Sequence, residues 1–128
     1  MLLDFYSFSK FPFRFDTGVS FYGVYYGQSA LPHAPEPLRY LDNAVIRDLK
    51  VYNAEIKSEI PVYDLKAAGG RDPYEMFLGG ARSIITITIP NVVRERRLVI
   101  FRDSFGSSIA PLLTAGYSEI TLVDIRYI

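Results

Sequence analysis

The run Leu98-Val99-Ile100-Phe101-Arg102-Asp103-Ser104-Phe105-Gly106-Ser107-Ser108 restricts the fold more than any other part of the chain. Leu98 to Phe101 form a short apolar run of the kind that makes a buried strand, and the polar Arg102-Asp103-Ser104 ends it. Ser107 or Ser108 can then cap a helix reaching Leu113, and Glu119 to Ile125 reads as the next strand. Strand, helix and strand in that order predict a parallel, right-handed β-α-β unit. Ligands of open parallel sheets bind beyond the carboxyl ends of the strands, which puts Asp103 and Ser104 on the functional rim. The backbone N–H groups from Phe105 through Gly106 and Ser107 to Ser108 would open the helix at the same place and support an oxyanion beside Ser104. The same residues also read as an ordinary loop-to-helix turn whose serine oxygens accept from backbone N–H groups. Spacing alone leaves both readings open.

The rest of the chain reads as strands and turns. Phe11, Phe13 and Phe15 alternate with Pro12 and Arg14, the period of a half-buried strand, and Pro12 puts it at an edge. They belong to a first quarter rich in aromatics, including Phe5, Phe8, Phe21, Tyr22, Tyr25 and Tyr26. Such rings can stack on sugars, but aromatics in alternation more often face a core. Leu31 to Pro37 is a proline-punctuated connector carrying His33 as a solvated loop residue, with no acid two or three residues before it. Tyr40-Leu41 and Val45 to Tyr52 are expected as two strands, and Ile60 to Asp64 as another. Ala67-Ala68-Gly69-Gly70 lacks the Lys-Ser/Thr of a nucleotide loop and reads as a turn. Asp72-Pro73-Tyr74-Glu75 is a helix start closed by Gly79-Gly80. Ile84 to Ile89 alternates Ile and Thr into a strand, Pro90-Asn91 turns it, and Arg94 to Arg97 bridges to Leu98 as a solvated turn.

The segment Arg102 to Ser108, with Ala110-Pro111-Leu112-Leu113 and Leu122-Val123-Asp124-Ile125-Arg126-Tyr127 behind it, resembles the nucleophile region of bacterial DHHW-family proteins. Phe21-Tyr22-Gly23, Tyr26-Gly27-Gln28-Ser29 and Tyr74-Glu75-Met76-Phe77-Leu78-Gly79-Gly80 look like the same family's central region. The family belongs to the SGNH-hydrolase-like group that includes the alginate O-acetylation enzymes. The resemblance implies an α/β fold, here part of a three-layer SGNH-hydrolase-like domain with a parallel β-α-β unit at the C-terminus and a strand-rich N-terminal half. It also implies an exported or cell-envelope setting and a polysaccharide or acyl-ester substrate. Ser104 maps onto the family's serine, with Asp103 bracing the loop. The family's Asp-x-His-Trp element, which supplies the base, lies N-terminal to the region seen here, and this chain has no Trp and one His. The chain is therefore expected to be one truncated domain over residues 1–128, lacking an upstream segment and a very poor esterase alone. The competing expectation is a non-catalytic glycan-binding module or structural remnant.

Composition excludes several other classes. With 128 residues, 49% hydrophobic and 22% charged, the chain can bury a core. Fourteen Lys+Arg balance fourteen Asp+Glu, so no long-range field recruits nucleic acid or an acidic membrane. The absence of Cys excludes disulfides, thiol catalysis and Cys-based zinc sites, and a single His beside Glu36 makes no metal centre. Neither metal nor cofactor is expected. Met1 to Lys10 lacks the basic start and apolar core of an export signal, and no apolar run approaches the length of about 20 residues that spans a bilayer.

Overall fold

The computed structural model describes residues 13–22, 32–93 and 95–128. The expectations for Phe5, Phe8, Phe11, Pro12, Gly23, Tyr25 to Leu31 and Arg94 fall outside those residues, as does the leader reading of Met1 to Lys10.

The chain forms two sheets. Strands β1 (Phe13–Phe21) and β2 (Glu36–Asp42) make an antiparallel ribbon with Phe15 opposite Tyr40. A bulge interrupts the ladder between Asp16 and Ser20, where Gly18 sits at φ 73° and donates its N–H to Asp16 Oδ1 (2.9 Å). The five-stranded sheet has the order β4-β3-β5-β7-β6, built from β3 (Lys50–Asn53), β4 (Ser58–Ile60), β5 (Ile84–Thr88), β6 (Arg97–Phe101) and β7 (Glu119–Val123). All its pairings are antiparallel except β6 with β7, the parallel pair that the β-α-β pattern predicts. Between them run helix α2 (Gly106–Ile109) and a 3-10 continuation, Ala110–Gly116. The protein is thus a mixed α/β fold, strand-rich throughout.

One sheet face forms the main core. Val51, Ile85, Ile87, Ile120 and Leu122 are buried there together with Ile46, Leu49 and Ala110. Each of the Val, Ile and Leu side chains contributes about 1.5–3 kcal/mol of transfer free energy. The opposite face carries exposed Tyr52, Val99 and Phe101. A second cluster, Leu38, Ala68, Met76 and Phe77, holds the ribbon against the body, with Val19, Phe21 and Tyr40 packed on it.

Several local expectations are corrected. Val45 to Tyr52 is not one strand: Ala44–Asp48 forms helix α1, and only Lys50–Asn53 is extended. Asn43 starts that helix by accepting the Ile46 N–H at 2.9 Å, and the spacing of Ile46 and Leu49 turns both into the core. The Tyr40-Leu41 strand is longer than expected and begins inside the proline connector, at Glu36. Ile60 to Asp64 is strand only at Ile60, after which Tyr63 makes an isolated bridge to Phe77. Ala67–Gly69 is a 3-10 turn, and so is Pro73–Met76, whose start at Asp72 and Pro73 is as expected. β7 stops at Val123 because Asp124 caps the turn Ile125–Tyr127.

Candidate active site at the carboxyl end of β6

Ser104 lies three residues past the end of β6, half-buried, with α2 starting two residues later. Neither Ser107 nor Ser108 starts that helix. Asp103 does so instead, accepting the Phe105 N–H on Oδ1 (3.0 Å) and the Gly106 N–H on its carbonyl (3.2 Å). The Ser107 N–H goes to Ser104 O and the Ser108 N–H to Phe105 O, each at 3.2 Å. All four N–H groups from Phe105 to Ser108 are therefore donated within the turn. The hydroxyl and N–H of Ser104 have no partner among the described residues.

Ser107 is fully buried and structural, because its Oγ accepts from Arg102 Nη1 at 2.7 Å. Arg102 is the buried organiser of the turn. Its Nη2 donates to the carbonyls of Gly80 (3.3 Å) and Arg82 (3.2 Å), tying the end of β6 to the loop before β5. Burial lowers the Arg102 pKa, partly offset by the Asp124 carboxylate, and its Nε is left without a partner. Gly106 is not in the left-handed region that a strained turn would require. It is needed because a Cβ there would lie 2.5 Å from Arg102 Cβ. Ser108 accepts from the Tyr74 hydroxyl at 2.6 Å and donates to Phe105 O at 3.0 Å, while burial raises the Tyr74 pKa.

The end of the neighbouring strand adds a fixed ion pair. Asp124 is fully buried and accepts Nε (2.9 Å), Nη2 (2.7 Å) and the backbone N–H (3.2 Å) of the half-exposed Arg126. Those bonds hold the Asp124 carboxyl below the usual carboxylate range. Arg102, Tyr74 and the Asp124–Arg126 pair were legible only as family-like motif letters. A buried arginine seldom signals itself in sequence, although Arg102 directly after an apolar strand and four residues before a glycine is the available hint.

His33 is exposed on the connector, with Nδ1 at 2.9 Å from Ala34 O and its ring 5.8 Å from that of Tyr22. It makes no hydrogen bond to Ser104. Among the described residues no group of three His, Cys, Asp or Glu is placed to hold a metal ion. No helix there is long and apolar enough to cross a membrane.

No protein-family model and no curated protein matches the chain. Solved structures do. A DHHW family protein from Eubacterium siraeum is 25% identical, with TM-score 0.54 over 73% of this chain and 32% of that one. The structure of Bacillus cereus PatB1 with a sulfonyl adduct is 18% identical, with TM-score 0.63 over 91% of this chain and 39% of that one. A second PatB1 structure is 21% identical, with TM-score 0.54 over 73% and 33%. The chain thus has an α/β fold similar to that of PatB1 and has a DHHW family protein among its structural relatives. It spans about a third to two-fifths of the length of each.

Proposed function

We propose that this chain is the nucleophile-bearing part of an SGNH-hydrolase-like, DHHW-type esterase or O-acetyltransferase acting on acyl esters of envelope or extracellular polysaccharide. The observation that carries the reading is the unpartnered hydroxyl and N–H of Ser104 beyond the carboxyl end of the parallel β6–β7 pair. In the reaction, Ser104 Oγ attacks the ester carbonyl carbon while a base takes its proton. The tetrahedral oxyanion collapses, the sugar oxygen leaves with that proton, and the acyl-serine passes its acyl group to water or to another hydroxyl. Since the N–H groups of Phe105 to Ser108 are already donated, the Ser104 N–H is the oxyanion donor at hand in this turn. Arg102 and Asp103 hold the turn in position. The base belongs to the upstream Asp-x-His-Trp element, so the chain alone is a poor catalyst. The sulfonyl adduct on PatB1 supports the reading, because sulfonyl groups attach to activated nucleophiles.

The test is turnover of p-nitrophenyl acetate by the chain, by Ser104→Ala and by His33→Ala. Background rates are expected in all three. Removing a member of such a triad elsewhere costs on the order of a million-fold in turnover. The rate should rise only when an Asp-x-His-Trp segment is supplied, and should then fall again with Ser104→Ala. Robust turnover by the chain alone that both substitutions abolish would overturn the fragment reading in favour of a Ser104–His33 pair. Background rates even with the added segment would favour a non-catalytic glycan-binding role.

A further inference from the structure

A cleft of about 280 Å³ opens between the β1–β2 ribbon and helix α2. Three rings lie along it in sequence of contact, Tyr40 with Tyr63 (centroids 4.8 Å apart) and Tyr63 with Phe77 (5.8 Å). Ile109 and Leu112 line it from the helical side. Two of its hydroxyls are already committed. Tyr63 donates to Leu41 O at 2.7 Å, and Ser108 is engaged with Tyr74 and Phe105. Along the rings only the Tyr40 hydroxyl is left for a hydroxyl-rich ligand, which would lose more water partners there than it regains, whereas a flat apolar body loses none.

Charge fixes the other end of the ligand. Arg14 and Arg39 both line the cleft. Arg39 Nε is 3.5 Å from Asp16 Oδ2, with both side chains about half exposed, while Arg14 makes no ion pair or hydrogen bond among the described residues. Arg39 has Asp16 and the nearby Asp42 has Arg47, so Arg14 is the cation left uncompensated among the described residues, and a guanidinium matches a carboxylate in geometry as well as in sign.

We propose that this cleft binds a small amphipathic carboxylate, its flat apolar body on Tyr40, Tyr63 and Phe77 and its carboxylate on Arg14. The site involves no covalent step and stands whether or not Ser104 is a nucleophile.

The experiment is titration of the isotope-labelled chain, followed by amide NMR shifts, with 2-naphthoate, with neutral 2-naphthalenemethanol and with D-glucuronate. 2-Naphthoate is expected to shift amides of residues 39–41, 63, 77, 108–110 and 112. It should bind roughly fivefold tighter than the alcohol, the gain that one exposed charge pair gives. Arg14→Gln, an exposed substitution, should remove that preference and leave the affinity of the alcohol unchanged. Tyr40→Ala should weaken both naphthalenes. Equal binding of acid and alcohol, shifts elsewhere on the surface, or a preference that survives Arg14→Gln would overturn the proposal. Glucuronate binding as tightly as 2-naphthoate would overturn the apolar body and make the cleft a sugar-acid site.

Discussion

Gly106 shows how one hydrogen in place of a methyl group governs the serine turn. In an ordinary helix Gly→Ala stabilises by roughly 0.5–1 kcal/mol. Here the new Cβ would fall 2.5 Å from Arg102 Cβ, and Arg102 is held by its bonds to Ser107, Gly80 and Arg82. Gly106→Ala is therefore expected to destabilise by about 1–3 kcal/mol, the usual cost of overpacking, and Gly106→Val by more. Urea unfolding measures this, and a midpoint equal to the parent's would show that Arg102 moves aside freely. Asp124 leads to a pH prediction. Its native pKa is depressed, so the stability it adds is fully present above the unfolded value of about 3.9 and is lost as pH falls through the lower native value. Asp124→Asn should cost about 1–3 kcal/mol at pH 7, and the gap to the parent should close as pH drops below about 4. A gap that stays constant between pH 7 and 2.5 in urea unfolding would contradict this account.

Among the elements, α1 departs furthest from its sequence reading. Val45, Ile46, Val51 and Tyr52 favour extended structure locally, yet residues 44–48 are helical. The Asn43 cap and the burial of Ile46 and Leu49 against the sheet outweigh that preference. Asn43→Ala is expected to cost about 1 kcal/mol through the lost cap bond, read from the denaturation midpoint. No change would mean that burial alone holds the helix. Local chemistry was sufficient elsewhere. Asp72-Pro73 opens its turn with Asp72 Oδ1 accepting the Tyr74 N–H at 3.0 Å, but the turn ends at Met76 with Phe77 as its cap, and Gly79 and Gly80, at φ 71° and 78°, lie in the following turn instead of closing it. The alternation of Ile84 to Ile89 became β5 because period 2 matches a sheet with one buried face. The run after Phe101 was correctly read as strand, turn and helix, but the capping group was misplaced. Asp103, Ser107 and Ser108 can all cap, and only the path of the chain past Arg102 selects Asp103.

The molecule as a whole divides into a sheet with its own core and a ribbon fastened by a second, smaller cluster. A two-stranded ribbon is marginal by itself, so its order rests on Leu38, which is buried against Met76 and Phe77. Leu38→Ala is expected to cost about 2–5 kcal/mol of ribbon docking. Native-state hydrogen exchange should then speed up at β1 and β2 while β5 and β7, paired on both sides, stay protected. Uniform acceleration would instead identify one cooperative unit. The amino-acid sequence by itself determined the α/β class, the parallel pair flanking a helix and the position of Ser104 beyond the carboxyl end of β6, since these follow from hydrophobic period and turn chemistry within a few residues. Tertiary structure alone decided that residues 44–48 are helical, that Gly106 answers to Arg102, that Ser107 is buried while Ser104 is not, and that Arg14 and Arg39 border an aromatic cleft. Each of those depends on distant segments, Gly106 through the Gly80 and Arg82 carbonyls that hold Arg102, and burial against a partner far along the chain outweighs local preferences of a few tenths of a kcal/mol per residue.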